Sequence, residues 1–166
     1  MPGTRFVKSA VSGVAASVGA SWKLAFGNVA LVKSTLLPWP LNDLTGGKTS
    51  VLFDTGQRGI LASNAYRLDV PLRTAEAIVV SHGHYDHTGG LKSVLVLNDQ
   101  VSVCMHPDAL GTKYAKEKTP PHRDIGIPDL DEPTLRRRAR QVFWTREPTE
   151  LIPGVHVTGE IPRRND

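Results

Sequence analysis

The stretch that most constrains this chain is a run of ligand-capable side chains at the end of an apolar segment. Ala75-Glu76-Ala77-Ile78-Val79-Val80-Ser81 reads as a buried strand, because it is apolar and partly β-branched. It leads directly into His82-Gly83-His84-Tyr85-Asp86-His87, which places three imidazoles and a carboxylate within six residues. Imidazole nitrogen and carboxylate oxygen are ligands that zinc accepts at roughly 2.0–2.2 Å. In an extended segment residues i and i+2 point the same way, so His82 and His84 can grip one ion from one side. Asp86 and His87 follow where the strand gives way to a helix start, and can aim at a second position nearby. Gly83 permits a tight backbone path, and Gly89-Gly90 allow close packing behind the loop. A lone histidine after a strand is ordinarily a polar loop residue, but this grouping points to a divalent cation. The donor types suit zinc, and they also suit Mn or Fe.

The surrounding pattern alternates strands and helices. Thr49-Ser50-Val51-Leu52-Phe53-Asp54 is a short apolar run that ends in the turn Asp54-Thr55-Gly56. Ile60, Leu61, Ala65 and Leu68 recur at helical spacing, and Leu91, Val94, Leu95 and Leu97 do the same after the glycine pair. Val101 to Met105 reads as a third strand, and Pro107 to Tyr114 as a short helix with proline in its first turn. Thr119 to Pro133 is rich in proline and charge, and is expected to be an extended surface loop able to act as a lid. Ile152 to Gly159 reads as a turn followed by a strand.

Length and composition fit one ordinary domain. The chain has 166 residues, 40% hydrophobic and 22% charged, and at that size roughly 68–70% of the unfolded surface can be buried. The net charge of +4 suits an anionic small substrate. The dense run Arg136-Arg137-Arg138-Ala139-Arg140 reads as a solvated helix face before it reads as a phosphate or nucleic-acid contact. Cys104 is the only cysteine, so the chain can form no internal disulfide, and a reducing, cytoplasmic setting is expected. Its apolar neighbours mark it as a small core residue and not a nucleophile.

Residues 1–47 form an atypical segment. The first acid is Asp43, and before it stand only Arg5, Lys8, Lys23 and Lys33 among many Ala, Ser, Gly and Val. Lys23 and Lys33 interrupt the apolar runs, so no uninterrupted span of about 20 residues is present and no membrane contact is expected. Three readings stand side by side: an organelle transit peptide, a less convincing secretory signal, or a segment foreign to the domain. It is therefore set aside from the fold argument, and the domain is taken as residues 48–166.

The loop His82-Gly83-His84-Tyr85-Asp86-His87 matches the HxHxDH motif of the metallo-β-lactamase superfamily. Leu52-Phe53-Asp54-Thr55-Gly56 is similar to that family's first motif, and Ser81 to Leu91 to its second. Within the superfamily the chain resembles the branch of 7,8-dihydropterin-6-yl-methyl-4-(β-D-ribofuranosyl)aminobenzene-5'-phosphate synthase-like proteins. His106-Pro107-Asp108-Ala109 and Thr158-Gly159-Glu160-Ile161-Pro162-Arg163 also resemble runs of that branch, so the likeness covers about Lys48 to Arg163.

The resemblance implies an α/β fold, the first half of an αββα sandwich with an irregular N-terminal segment, and a binuclear zinc-type centre. His82 and His84 would hold the first ion, and Asp86 and His87 the second, with Asp86 also the carboxylate assigned to catalysis. Two ions roughly 3.5–4 Å apart acidify water and polarise a carbonyl or phosphoryl oxygen. Asp54 would steady the loop by accepting the second N–H of a liganding imidazole. A plain turn carboxylate is an equal reading of Asp54.

The superfamily completes its centre with a third histidine, a bridging aspartate and a last histidine. In this branch the next of these lies beyond the Gly-Glu-Ile-Pro-Arg run, after which this sequence stops at Asp166. Of the remaining imidazoles, His106 is expected to be structural, His122 a solvated loop residue and His156 a sheet-face residue. Two ligands per ion imply that the isolated chain binds metal weakly and turns over little or nothing. Half a sandwich also implies a bare sheet face, and hence a homo-oligomer that covers it, or a fragment of low solubility. The functional expectation is a hydrolase or related transferase acting on a small, phosphorylated or pterin-like molecule. The alternatives are a homologue without catalysis and a nucleic-acid processing protein that uses Arg136 to Arg140. Steeply salt-dependent binding would mark the last.

Overall fold

The computed structural model describes residues 49–115, 121–152 and 155–161, together with the backbone of four strands between residues 5 and 34. Readings that rest on side chains of residues 1–48, or on Thr119, Pro120, Pro153, Gly154, Pro162 and Arg163, lie outside these residues. The four early strands are β1 (Arg5–Phe6), β2 (Ala16–Val18), β3 (Trp22–Phe26) and β4 (Val29–Ser34).

From residue 49 the chain alternates as its periodicity predicts. Strand β5 (Thr49–Phe53) is followed by helix α1 (Ile60–Arg67) and strand β6 (Ala77–Val79). After the histidine loop come α2 (Tyr85–Thr88), α3 (Leu91–Leu97) and β7 (Ser102–Met105). A two-stranded ribbon, β8 (Tyr114–Ala115) with β9 (Arg123–Asp124), precedes α4 (Glu132–Arg138) and β10 (Gln141–Trp144). Strands β11 (Thr149–Ile152) and β12 (Val155–Val157) complete the described chain. Strands β10, β7, β6 and β5 run parallel in that spatial order, joined by helical crossovers as parallel pairing requires.

Side-chain alternation divides this sheet between two cores. Leu52, Ile78, Val80, Val103 and Met105 face Leu61 and Ala65 of α1, Leu91, Val94 and Leu95 of α3, and Leu135 of α4. Val51, Phe53, Ala77, Val79 and Cys104 point the other way, onto Leu151, Val155 and Val157. Burial on both faces explains why β5 and β6 read as nearly continuous apolar runs. The opposing layer is a second sheet in the order β1-β2-β12-β11, antiparallel throughout. Its other surface carries Glu150 and His156, both exposed and 3.8 Å apart. Helices, main sheet and second sheet thus supply the α, β and β layers of the expected partial sandwich.

Four sequence expectations change. The sheet face expected to be bare carries the β11–β12 hairpin, whose Leu151, Val155 and Val157 pack on it. The segment set aside as irregular contributes the β3–β4 hairpin, and β4 pairs antiparallel with β5 from Ala30↔Phe53 to Ser34↔Thr49. An edge strand is an open row of donors and acceptors, so β5 gains a partner there. The helix expected over Pro107 to Tyr114 is a single 3-10 turn, Pro107–Leu110. Its carbonyls at Asp108 and Ala109, and that of Gly111 just after it, accept from the Lys113 ammonium at 2.8–2.9 Å, in place of the backbone donors of a longer helix. Pro133 lies in the first turn of α4, where proline is tolerated, and Asp131 caps that helix by accepting from the Thr134 N–H at 2.9 Å.

Candidate metal centre

The histidine loop leaves the carboxyl end of β6, one of the two inner strands of the parallel set. Open parallel sheets bind ligands at this edge. His84 keeps an extended backbone (φ −87°, ψ 149°) and opens α2, so Asp86 falls in the first helical turn. Thr88 closes that turn by donating its hydroxyl to the His84 carbonyl at 2.8 Å. The glycines are required by crowding. A Cβ on Gly83 would stand 1.9 Å from the Ala109 carbonyl oxygen, and one on Gly90 2.4 Å from that of Thr55.

Three of the predicted ligands converge. His82, His84 and Asp86 each offer a donor atom, and these atoms lie within 4.8 Å of one another. His82 Nε2 and His84 Nδ1 are 3.1 Å apart, close to the roughly 3.3 Å between two nitrogens bound tetrahedrally to zinc at 2.0–2.1 Å. His87 lies beside this trio, its ring centroid 4.1 Å from that of His82 and its Nε2 3.6 Å from Asp86 Oδ2. Asp86 therefore stands between the His82–His84 pair and His87, within reach of both, and is not grouped with His87 alone. The donor set and its spacing fit a divalent cation.

Beneath the imidazoles lies Asp54, buried and held at φ 57°, an uncommon backbone conformation for a non-glycine residue. Its carboxylate accepts from the Ser81 N–H and the Ser81 hydroxyl, each at 2.7 Å, and from His87 Nδ1 at 2.7 Å. Because a carboxylate accepts, His87 donates from Nδ1 and presents Nε2 towards Asp86. This is the geometry expected of an acid that orients a liganding imidazole, beyond that of a simple turn carboxylate. The Ser81 hydroxyl also lies 3.0 Å from His82 Nδ1, so one small side chain joins Asp54 to two rings.

The electrostatics separate His82 from His87. Burial, then the neighbouring His87 and His84, lower the His82 pKa to about 4, against the opposing pull of Asp54 and Asp86. His82 is therefore neutral near pH 7, the form in which imidazole ligates a metal. Burial also works against protonation of His87. The Asp54 hydrogen bond and charge, with the charge of Asp86, outweigh it and raise the His87 pKa above its ordinary value.

The other predicted residues fall elsewhere. His106 caps the Pro107–Leu110 turn, accepting from the Asp108 N–H at 3.2 Å, and its Nε2 lies 3.3 Å from Arg146 Nη1. His122 is exposed in the proline-rich stretch, and His156 is exposed on β12. Cys104 is buried in the core, where burial pushes its thiol up to about 11 although Thr145 works the other way. Arg136 to Arg138 are exposed on α4, with Arg136 paired to Glu132 at 2.7 Å.

Comparison with known proteins gives the family. The model of the metallo-beta-lactamase superfamily matches residues 43–164. The chain belongs to this superfamily. An uncharacterized protein of Methanocaldococcus jannaschii is 36% identical over 116 residues, which are 68% of this chain and 42% of that protein. The 7,8-dihydropterin-6-methyl-4-(beta-D-ribofuranosyl)-aminobenzene-5'-phosphate synthase of the same organism is 30% identical over 118 residues, 70% of this chain and 40% of the enzyme. The chain thus spans about two fifths of the length of these relatives. A metallo-beta-lactamase mutant from Cronobacter sakazakii aligns with a TM-score of 0.46 at 16% identity, covering 86% of this chain and 49% of that one.

Two residues of this metallo-β-lactamase-fold site escaped the sequence reading. In the sequence Ser81 ends a strand and opens the second motif with no role of its own, yet its hydroxyl links Asp54, His82 and His87. Thr55 was read as part of a turn, yet its N–H and hydroxyl both donate to the His87 carbonyl, at 2.7 and 3.0 Å. Small hydroxyl residues beside ligand-dense motifs were the available signal.

Proposed function

We propose that this chain carries a metal-binding site of a hydrolase or related transferase acting on a small, phosphorylated or pterin-like molecule. His82, His84 and Asp86 hold a divalent cation, with zinc the expected metal, and His87 with Asp86 lines the position of a second. The convergence of the His82, His84 and Asp86 donors within 4.8 Å carries this reading. The Asp54–His87 bond supports it, and membership of the superfamily makes metal-dependent chemistry the natural setting. A divalent ion in such a site supplies Lewis acidity towards water and towards a substrate oxygen. The chain's own groups do the rest. His82 is kept neutral by burial, Asp54 aims His87 through Nδ1, and Asp86 offers its carboxylate within reach of His82, His84 and His87. The pterin-like substrate rests on the likeness to the synthase.

Isothermal titration of the full chain with Zn²⁺ tests the proposal. Weak, saturable binding is expected, abolished by His82→Ala together with His84→Ala. Binding that survives both substitutions would remove the loop from the site. Two tight sites per chain would instead overturn the expectation of weak binding.

A further inference from the structure

The histidine loop is confined on two sides by segments distant in sequence, and one residue serves both. On the first side the Ala109 carbonyl oxygen fills the space beside Gly83, 1.9 Å from where an added Cβ would stand. On the second side the Tyr85 N–H donates to the Ile125 carbonyl at 3.0 Å, and the Ile125 N–H donates to the Lys113 carbonyl at 2.8 Å. In the same segment the Arg123 guanidinium carbon lies 5.9 Å from the centre of the Tyr85 ring. Gly83 and Tyr85 flank His84 in sequence, and Tyr85 also precedes Asp86.

Lys113 joins the two sides. Its half-buried side chain donates to the carbonyls of Asp108, Ala109 and Gly111 at 2.9, 2.8 and 2.8 Å. An ammonium has three N–H groups, so donors and acceptors match in number. The Ala109 oxygen it holds is the atom that abuts Gly83. Its own main-chain carbonyl anchors Ile125, which in turn anchors Tyr85. A lysine placed for solubility alone would keep this head group in water.

We propose that Lys113 is a positioning residue for the metal centre, a clamp whose ammonium fixes both walls of the histidine loop and so holds the His82, His84 and Asp86 donors together. The proposal rests on the metal-site reading given above and adds a residue that bonds to none of those donors. Without the ammonium, the three carbonyls lose their shared donor and the bend from residue 107 to 113 can open. Ala109 then withdraws from Gly83, and the carbonyl that receives the Ile125 N–H moves with residue 113. Donors that must be ordered when the ion arrives bind it more weakly than donors already in place.

The test follows amide hydrogen exchange by NMR in the metal-free full chain, and Zn²⁺ affinity by titration. The wild type is compared with Lys113→Met, Lys113→Arg and Lys92→Met. Methionine keeps an apolar stem and removes the charge. The exposed Lys92 side chain makes no hydrogen bond or ion pair among the described residues, so its variant controls for the loss of one positive charge. Lys113→Met should speed exchange of the Tyr85 amide about tenfold, the factor for one lost hydrogen bond to a charged group. The Val80 amide, which donates to the Cys104 carbonyl within the main sheet, should be unaffected. Zn²⁺ affinity should fall about tenfold, the lower end of the range for groups outside the ligand set. Lys113→Arg keeps the charge but not the compact three-donor head, so it should fall between the two. Lys92→Met should match the wild type in both readouts. An unchanged Tyr85 amide or an unchanged Zn²⁺ affinity overturns the proposal. So does equal acceleration at Val80, which would make Lys113 a support of the whole fold. Should Lys113→Met fail to fold, Lys113→Arg decides on the same two readouts. Should the wild type take up no Zn²⁺, the metal reading falls, and exchange at Tyr85 against Val80 alone decides whether Lys113 holds the loop.

Discussion

Asp54 and Cys104 are both buried polar groups, and they illustrate opposite uses of burial. Asp54 is fully engaged, with acceptor bonds to Ser81 and His87 at 2.7 Å. Asp54→Asn keeps the shape but replaces a charged acceptor with an amide, so His87 loses its orienting partner. Metal affinity should fall about tenfold to a hundredfold, as for other outer partners of liganding imidazoles. Competition against a chromophoric chelator measures this, and a change below twofold would show that His87 needs no such support. Cys104 is instead inert. Its thiol titrates at about 11 in the fold, against 9.0 as the ordinary value. A group whose folded pKa is raised contributes stability below the unfolded pKa and loses it as pH rises through the folded one. Stability should therefore decline between pH 9 and about 11, and Cys104→Ala should flatten that decline. A thiol reagent at pH 8 should react slowly with the native chain and fully after denaturation.

At the level of elements, most of the strands and helices that frame the site were legible from periodicity. Ile60 to Leu68, Leu91 to Leu97 and Val101 to Met105 each formed close to where their apolar spacing placed them. Misjudged elements were those decided by a distant partner. Tyr114 left the expected helix because the Lys113 ammonium binds the turn carbonyls and the chain then pairs with Arg123–Asp124. The role of Gly83 was legible only as permission for a tight path; the obstacle, the Ala109 carbonyl, lies on another element. Gly83→Ala should cost about 1–3 kcal/mol, the range for overfilled packing, and should weaken Zn²⁺ binding by displacing His82 and His84. Chemical denaturation with and without Zn²⁺ reads both effects. An alanine variant as stable as the wild type would mean that the 107–110 turn yields freely.

Across the whole molecule, the β11–β12 hairpin decides whether the main sheet is a finished core. Val155 and Val157 are each 1% exposed and pack over Val51, Phe53, Ala77, Val79 and Cys104. Val155→Asp places an unpaired carboxylate in that layer, so the hairpin should lift and expose the apolar face. Association on light scattering and a lower melting temperature are expected. A variant that melts and elutes like the wild type would show that the hairpin does not hold the face closed.

Local pattern in the sequence was enough to show which residues carry cation-ligand chemistry and which strand they follow. Ligand type is a property of the side chain, and a buried strand announces itself by local pattern. It also determined the main crossovers, since helical and strand periods are written within each segment. Tertiary structure alone decided that Asp86 joins His82 and His84, that Ser81 couples Asp54 to two imidazoles, and that Arg123 stands over Tyr85. It also decided that strands β3 and β4 extend the main sheet. These depend on groups far apart in the chain meeting in space, and no local period encodes such a meeting.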